Sequence, residues 1–265
     1  MKICCAQMNM RLGDTDYNFN HAKELFEKAV KAEPDTIVFP ETWNTGFFPR
    51  DNLYGLCDVD GKRTKELFGA LAKLHGVNTV AGSVSNIKRG KIYNTSYIFN
   101  RHGECVAEYD KTHLFTPMNE NDFYEKGSCL TSFELDGKMC GIIICYDLRF
   151  PELTRTLTVK NRLDCLFVVS QWPDKRISQL DTLLKARATE NQMYVICCNS
   201  CGKAYNTVFG GHSAVYSPLG EAIAFAGENE EIISAECDEG ISARIANEIN
   251  VFRDRREELY DVKSN

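Results

Sequence analysis

Short apolar runs alternate along this chain with stretches of helical periodicity, a rhythm that few folds other than layered α/β ones accommodate. Ile3 to Met8 is an apolar run of strand length, Leu25, Phe26, Ala29 and Val30 then fall at helical spacing, and Thr36-Ile37-Val38-Phe39 is a second run. A strand, a helix and a strand are expected there. Leu67, Phe68, Leu71 and Leu74 mark one face of a further helix that stops near Gly76 and leads into a strand over Asn78 to Val84. Between Lys91 and Lys111, two β-rich stretches flank Asn100-Arg101-His102-Gly103, a turn-like tetrapeptide that predicts a hairpin. The rhythm then restarts: a strand from Met139 to Cys145, a helix near Pro151 to Lys160, a strand from Cys165 to Ser170, a helix near Ile177 to Asn191 and a strand from Tyr194 to Cys198. A hairpin around Ser217-Pro218-Leu219-Gly220, a strand from Glu231 to Cys237 and a polar tail rich in Arg and Glu complete the pattern.

No Gly/Ser-rich or Pro-rich linker interrupts this rhythm, and 265 residues at 43% apolar content can bury a large core. The expectation is one α/β domain over 1–265, with two similar halves and mixed sheets. A net charge of -6, with both signs interspersed, offers no basic stripe for phosphates, so nucleic acid is not an expected partner. Met1-Lys2-Ile3-Cys4-Cys5-Ala6-Gln7 lacks the apolar region of a signal peptide, and no run of about 18 apolar residues exists to span a membrane. A cytoplasmic protein is expected. Its twelve cysteines are then free thiols acting mostly as small hydrophobes, and the sequon Asn94-Thr95-Ser96 is incidental.

Three strand ends carry reactive side chains. Glu41 follows Val38-Phe39-Pro40, and a carboxylate partly withdrawn from water there becomes a useful base. Taken alone, a strand-end Glu is more often an exposed loop acid. Lys111, in Glu108-Tyr109-Asp110-Lys111-Thr112-His113-Leu114-Phe115, is an ammonium among aromatic neighbours that suits an oxyanion; alone, it reads equally as a solvated lysine protecting a sheet edge. Cys145 ends the apolar run Ile142-Ile143-Ile144 just before a turn and a helix, where backbone N–H groups favour a thiolate and donate to an oxyanion. A buried core thiol is the plainer reading for most of the other eleven cysteines.

Together these segments resemble the nitrilase, or carbon-nitrogen hydrolase, superfamily, whose signature is a Glu, a Lys and a Cys at three strand ends in this order. The resemblance covers nearly the whole chain. It extends to Gln7, Gly13-Asp14, Ala81-Gly82-Ser83, Lys185-Ala186-Arg187-Ala188-Thr189-Glu190-Asn191, Gly211-His212-Ser213 and Phe252-Arg253-Asp254-Arg255-Arg256. Tyr109 to Phe115, Cys145-Tyr146-Asp147-Leu148-Arg149-Phe150-Pro151-Glu152-Leu153 and Gln171-Trp172-Pro173 look like the branch of omega-amidases and deaminated-glutathione amidases. The resemblance implies a four-layer α-β-β-α sandwich with two mixed sheets, pairing into a homodimer through helices near the nucleophile. It implies Cys145 as nucleophile, Glu41 as general base, Lys111 with the backbone N–H of Tyr146 at the oxyanion, and no metal or organic cofactor. A supporting second glutamate is best placed at Glu120, with Glu125 as the fallback. A small anionic amide such as 2-oxoglutaramate or 2-oxosuccinamate is the implied substrate, with Arg176 and Arg149 as candidates for its carboxylate and Trp172 and Phe47 as walls. Each arginine reads equally as a surface or structural residue. One departure stands out: where the branch often has a His-Trp pair before the Ala-Arg-Ala helix, this chain has Gln179-Leu180, which puts the pocket wall in question.

Other chemistries fit less well. A Cys-His pair would need His113 or His212 beside Cys145, and a structural hydrogen-bonding role is favoured for His113. No Gly-x-Ser-x-Gly elbow is present. The Cys197-Cys198-Cys201 cluster lacks the second close pair of ligands that a structural zinc requires. A non-catalytic binding protein on the same fold predicts loss of at least one triad residue, and none is lost.

Overall fold

The computed structural model describes residues 1–238 and 240–260, so the end of the polar tail, 261–265, lies outside the described residues. The first half runs β1 (Lys2–Gln7), α1 (Thr15–Ala29), β2 (Thr36–Val38), the single turn α2 (Leu53–Leu56), β3 (Asp58–Val59), α3 (Lys62–His75), β4 (Asn78–Val80), β5 (Val84–Lys88), β6 (Lys91–Phe99) and β7 (Cys105–Asp110). There follow β8 (Ser132–Leu135), β9 (Lys138–Ile144), α4 (Pro151–Asn161), β10 (Cys165–Ser170), α5 (Ile177–Asn191) and β11 (Tyr194–Asn199). The chain continues through β12 (Cys201–Ala204), β13 (Thr207–Gly210), β14 (Ala214–Tyr216), β15 (Ala222–Phe225), β16 (Glu231–Glu236) and α6 (Ile241–Glu248).

Two mixed sheets result. In the first, ordered β16-β1-β2-β4-β6-β5-β3 with β7 added on β6, strands β1, β2 and β4 are parallel and their flanking neighbours antiparallel. The second, β15-β14-β11-β10-β9-β8, has β9, β10 and β11 parallel at its centre. Alternation along these strands decides the layering, because successive side chains leave opposite faces. Ile3, Cys5 and Val38 of the first sheet pack with Ile142, Ile144, Phe167 and Val169 of the second, so the sheets face each other. The intervening residues point outward: Cys4, Ile37 and Phe39 meet α1 and α3 through Phe26, Phe68 and Leu71. Ile143, Leu166 and Val168 meet α4 and α5 through Leu157, Leu180 and Leu184. The order of layers is α-β-β-α. Strands buried on both faces carry unbroken apolar runs, as in Ile142-Ile143-Ile144.

The expected strand over Asn78 to Val84 is interrupted after Val80, and Val84 instead begins a hairpin of β5 with β6. Gly82 explains the break. Its φ of +61° is left-handed, and a β-carbon there would lie 2.0 Å from the Pro40 carbonyl oxygen. The backbone thus makes room for the chain entering Glu41, and Ser83 N–H donates to that carbonyl at 3.0 Å. Gly82→Ala is expected to cost about 2 kcal/mol or more of stability, measurable by urea unfolding, because strain and clash coincide.

Candidate active site

The side chains singled out at the three strand ends enter one cleft of about 510 Å³, its open mouth included. Glu41, Lys111, Glu120 and Cys145 line it, as do Tyr146, Trp172, Arg176, Phe47 and Arg149. Glu41, Cys145 and Gln171 all follow the carboxyl ends of parallel strands (β2, β9 and β10), where side chains from different strands converge in open α/β sheets. Glu125, the alternative second glutamate, is at the surface paired with Lys91 at 3.1 Å and is absent from the cleft lining.

Lys111 is the centre of the polar floor. It is 2% exposed, and its Nζ donates to Glu41 Oε1 at 2.8 Å and to Glu120 Oε1 and Oε2 at 2.9 and 2.8 Å. Burial alone opposes its charge, but attraction from Glu120 and Glu41 outweighs that cost and holds its pKa well above the usual lysine value. Glu120 is pushed up as well, first by burial and then by repulsion from Glu41, with Lys111 only partly compensating. Both values move upward, which favours the charged form of the lysine and disfavours that of Glu120, because a single ammonium faces two carboxylates. Its two carboxylate neighbours thus favour the charged ammonium, while burial disfavours the ionised form of Glu120.

Backbone and amide groups fix the two acids. Glu41 Oε2 accepts from Gln171 N–H at 2.9 Å, which joins the end of the first sheet to the end of the second. Glu120 Oε2 accepts from Phe115 N–H at 2.6 Å. Asn94, fully buried, donates through Nδ2 to Glu41 Oε1 at 2.9 Å, so the asparagine of the incidental sequon belongs to this site.

Cys145 has φ +47°, a left-handed conformation rare for a residue with a β-carbon, and it opens a five-residue 3₁₀ turn before α4. The expectation of a stabilised thiolate is corrected here: the thiol pKa is raised, first by burial and next by the Glu41 charge. Lys111 and the Gln171 N–H offset only part of this. A short 3₁₀ turn supplies too little field to overcome desolvation and a neighbouring anion. The resting sulfur is consequently a protonated thiol beside a carboxylate.

Asp147 is a residue whose part the sequence did not reveal. Fully buried, it accepts five hydrogen bonds: Oδ2 from Ile144 N–H at 3.0 Å and the Tyr109 hydroxyl at 2.7 Å, and Oδ1 from the Thr112 hydroxyl, His113 N–H and the His113 ring Nδ1 at 2.9, 2.9 and 2.8 Å. It ties the residue before Cys145 to residues on both sides of Lys111. His113, stacked on Phe150 at 3.7 Å, serves this clamp and is absent from the cleft lining. Asp147→Asn puts an amide donor among these donors, and kcat is expected to fall about 10²-fold as the sulfur and ammonium lose register. Steady-state kinetics beside a melting curve checks this.

The cleft rim is cationic and aromatic. Arg149 lies over the Trp172 ring at 4.7 Å, and Arg176 over Phe115 at 5.5 Å. Among the described residues, neither pairs with a carboxylate. Phe47 packs against Phe48 and Phe209 with tilted rings, which closes the apolar wall. Of the unexpected Gln179-Leu180 pair, Leu180 is core between α5 and its sheet, while Gln179 receives a hydrogen bond from Arg149 at 2.7 Å. Cys197 and Cys198 point into different cores, and no group of three or more potential metal ligands occurs among the described residues.

The carbon-nitrogen hydrolase profile matches residues 2–245. The chain belongs to the carbon-nitrogen hydrolase family. A 2-oxoglutaramate amidase of Bacillus subtilis (strain 168) is 40% identical over 258 residues, covering 97% of this chain and 98% of that protein. An omega-amidase of Xenopus tropicalis is 31% identical, covering 93% and 92%. The crystal structure of Saccharomyces cerevisiae Nit3, a member of branch 10 of the nitrilase superfamily, superposes with a TM-score of 0.88 at 28% identity, covering 97% of this chain and 96% of that one. This carbon-nitrogen hydrolase is thus an enzyme that hydrolyses carbon-nitrogen bonds, on the α/β fold of the nitrilase superfamily, and it is omega-amidase-like. No helix among its described residues is long and apolar enough to cross a membrane.

Proposed function

We propose that the enzyme is a cysteine-dependent amidase that converts a small anionic carboxamide, of the 2-oxoglutaramate or 2-oxosuccinamate type, to carboxylate and ammonia. The observation that carries this reading is one cleft lined by a thiol, a carboxylate and a buried ammonium, with two arginines at its rim that pair with no carboxylate among the described residues. Glu41 takes the proton of Cys145 as the sulfur attacks the amide carbon. The oxyanion forms between Lys111 Nζ and the backbone N–H of Tyr146, each donor contributing about 3 kcal/mol to lowering the barrier. Ammonia leaves with the proton from Glu41, giving a thioester on Cys145. Glu41 then activates water against that thioester, so the product acid departs and the thiol is restored. Glu120 keeps Lys111 charged and in place.

At the far end of the substrate, Arg149 and Arg176 receive the carboxylate while Trp172 and Phe47 flank the carbon chain. This reading takes 1–265 as one catalytic domain that works as a homodimer in the cytoplasm, where its thiols stay reduced. Ammonia release from a panel of carboxamides, nitriles and carbamoyl compounds tests it. Preference for 2-oxoglutaramate-type amides supports the assignment, turnover of nitriles alone overturns it, and preference for deaminated glutathione moves the enzyme to the neighbouring activity.

A further inference from the structure

We propose that Gln179 is a specificity-determining positioning residue: a neutral rim amide that fixes Arg149 for an anionic substrate without cancelling its charge. The inference rests on the reading of Arg149 as a receptor for the substrate carboxylate. Arg149 is constrained from two sides. One face of its guanidinium lies over the Trp172 ring at 4.7 Å, and one terminal nitrogen, Nη2, donates to Gln179 Oε1 at 2.7 Å. A guanidinium has five N–H donors in a planar fork, so this single bond sets the plane and leaves the remaining donors available. Both contacts are electrically neutral. An Asp or Glu at position 179 would hold the same geometry and also satisfy the charge, turning a receptor into a closed ion pair.

Placement supports a local role. Gln179 lies in the first turn of α5, exposed at the rim, while the next residue, Leu180, is fully buried under the sheet and anchors the helix. The amide is thus presented from a fixed backbone, and changing its head group leaves the core untouched. Asp181, the next acid along the helix, lies 3.9 Å from His212 and does not reach Arg149.

Two variants separate charge from anchoring. Gln179→Glu keeps the acceptor and adds a charge; Gln179→Met removes the acceptor at nearly constant shape. Each is assayed with 2-oxoglutaramate and with pentanamide, an uncharged amide of similar length. For Gln179→Glu, the ratio of kcat/KM for 2-oxoglutaramate to that for pentanamide is expected to fall about fivefold, in KM rather than kcat, and to recover as salt screens the pair. Gln179→Met is expected to lower the same ratio about twofold, independently of salt, because the fork loses its anchor but not its charge. An unchanged ratio in both variants would overturn the role of Gln179. Arg149→Met distinguishes the two layers: if it raises KM for 2-oxoglutaramate while both Gln179 variants do not, only this inference fails. If Arg149→Met leaves that KM unchanged, the carboxylate receptor itself is wrong, and the inference falls with it.

Discussion

Replacing Cys145 with alanine is expected to lower ammonia release by about 10⁴-fold or more, because the proposed acyl intermediate forms on its sulfur. The raised thiol pKa gives this prediction a second part. With the thiol protonated at rest, its nucleophilicity depends on the moment-by-moment transfer of its proton to Glu41. Glu41→Gln is therefore expected to slow alkylation of Cys145 by iodoacetamide at neutral pH, although it removes a negative charge whose field disfavours the thiolate. If the charge effect dominated, alkylation would accelerate, so the direction of the change distinguishes a proton acceptor from a mere neighbour. Stability of Cys145→Ala should stay close to that of the parent, since alanine occupies the same left-handed turn at no greater strain.

Replacement of Lys111 has the largest expected effect on stability. Lys111→Met strands Glu41 and Glu120, 4% and 3% exposed, without their shared cation. Breaking a buried ion cluster on one side costs about 3–5 kcal/mol, more than the net worth of the cluster, because the remaining charges keep their desolvation penalty. A second change, Glu120→Gln, removes one of the stranded charges. The double variant Lys111→Met/Glu120→Gln should therefore recover much of the lost stability, while activity stays down by about 10²-fold or more because the proposed oxyanion donor is still missing. Urea unfolding of the parent, both single variants and the double variant measures the coupling. Additive losses would show that Lys111 and Glu120 do not act as a unit.

Much of the fold was legible because its central strands and helices are long and strongly periodic. The helix expected near Ile177 to Asn191 and the strand expected from Cys165 to Ser170 have those ends in the structure. What escaped were short or polar elements: β8, of four residues at a sheet edge, the β12-β13 hairpin, and α6 within the polar tail. Four residues give too few alternations to establish a period, and edge strands need not be apolar. The strand expected to reach Val84 failed for a tertiary reason, since only the approach of the Pro40 carbonyl makes Gly82 a break.

The site divides along the same line. Glu41, Lys111 and Cys145 stood out in the sequence only together, as a Glu, a Lys and a Cys at three strand ends in the order of the family's signature. Asn94, Gln171 and Asp147 were not, because their parts depend on partners 53, 130 and 35 residues away in the chain. Asp147 did carry a faint signal, an acid two residues after Cys145 in a turn too tight to solvate it. The protonated state of Cys145 was hidden for a related reason: local sequence shows the turn's N–H groups but not the depth of burial or the facing carboxylate.

If carbon-nitrogen cleavage passes through a thioester on Cys145, that thioester can be trapped by rapid acid quench of the enzyme during turnover of 2-oxoglutaramate, followed by peptide mass spectrometry. The expected result is an acyl adduct, equal in mass to the substrate less ammonia, on the peptide containing Cys145 and absent from Cys145→Ala. Full turnover by Cys145→Ala, or an acyl group carried on any other residue, would contradict it.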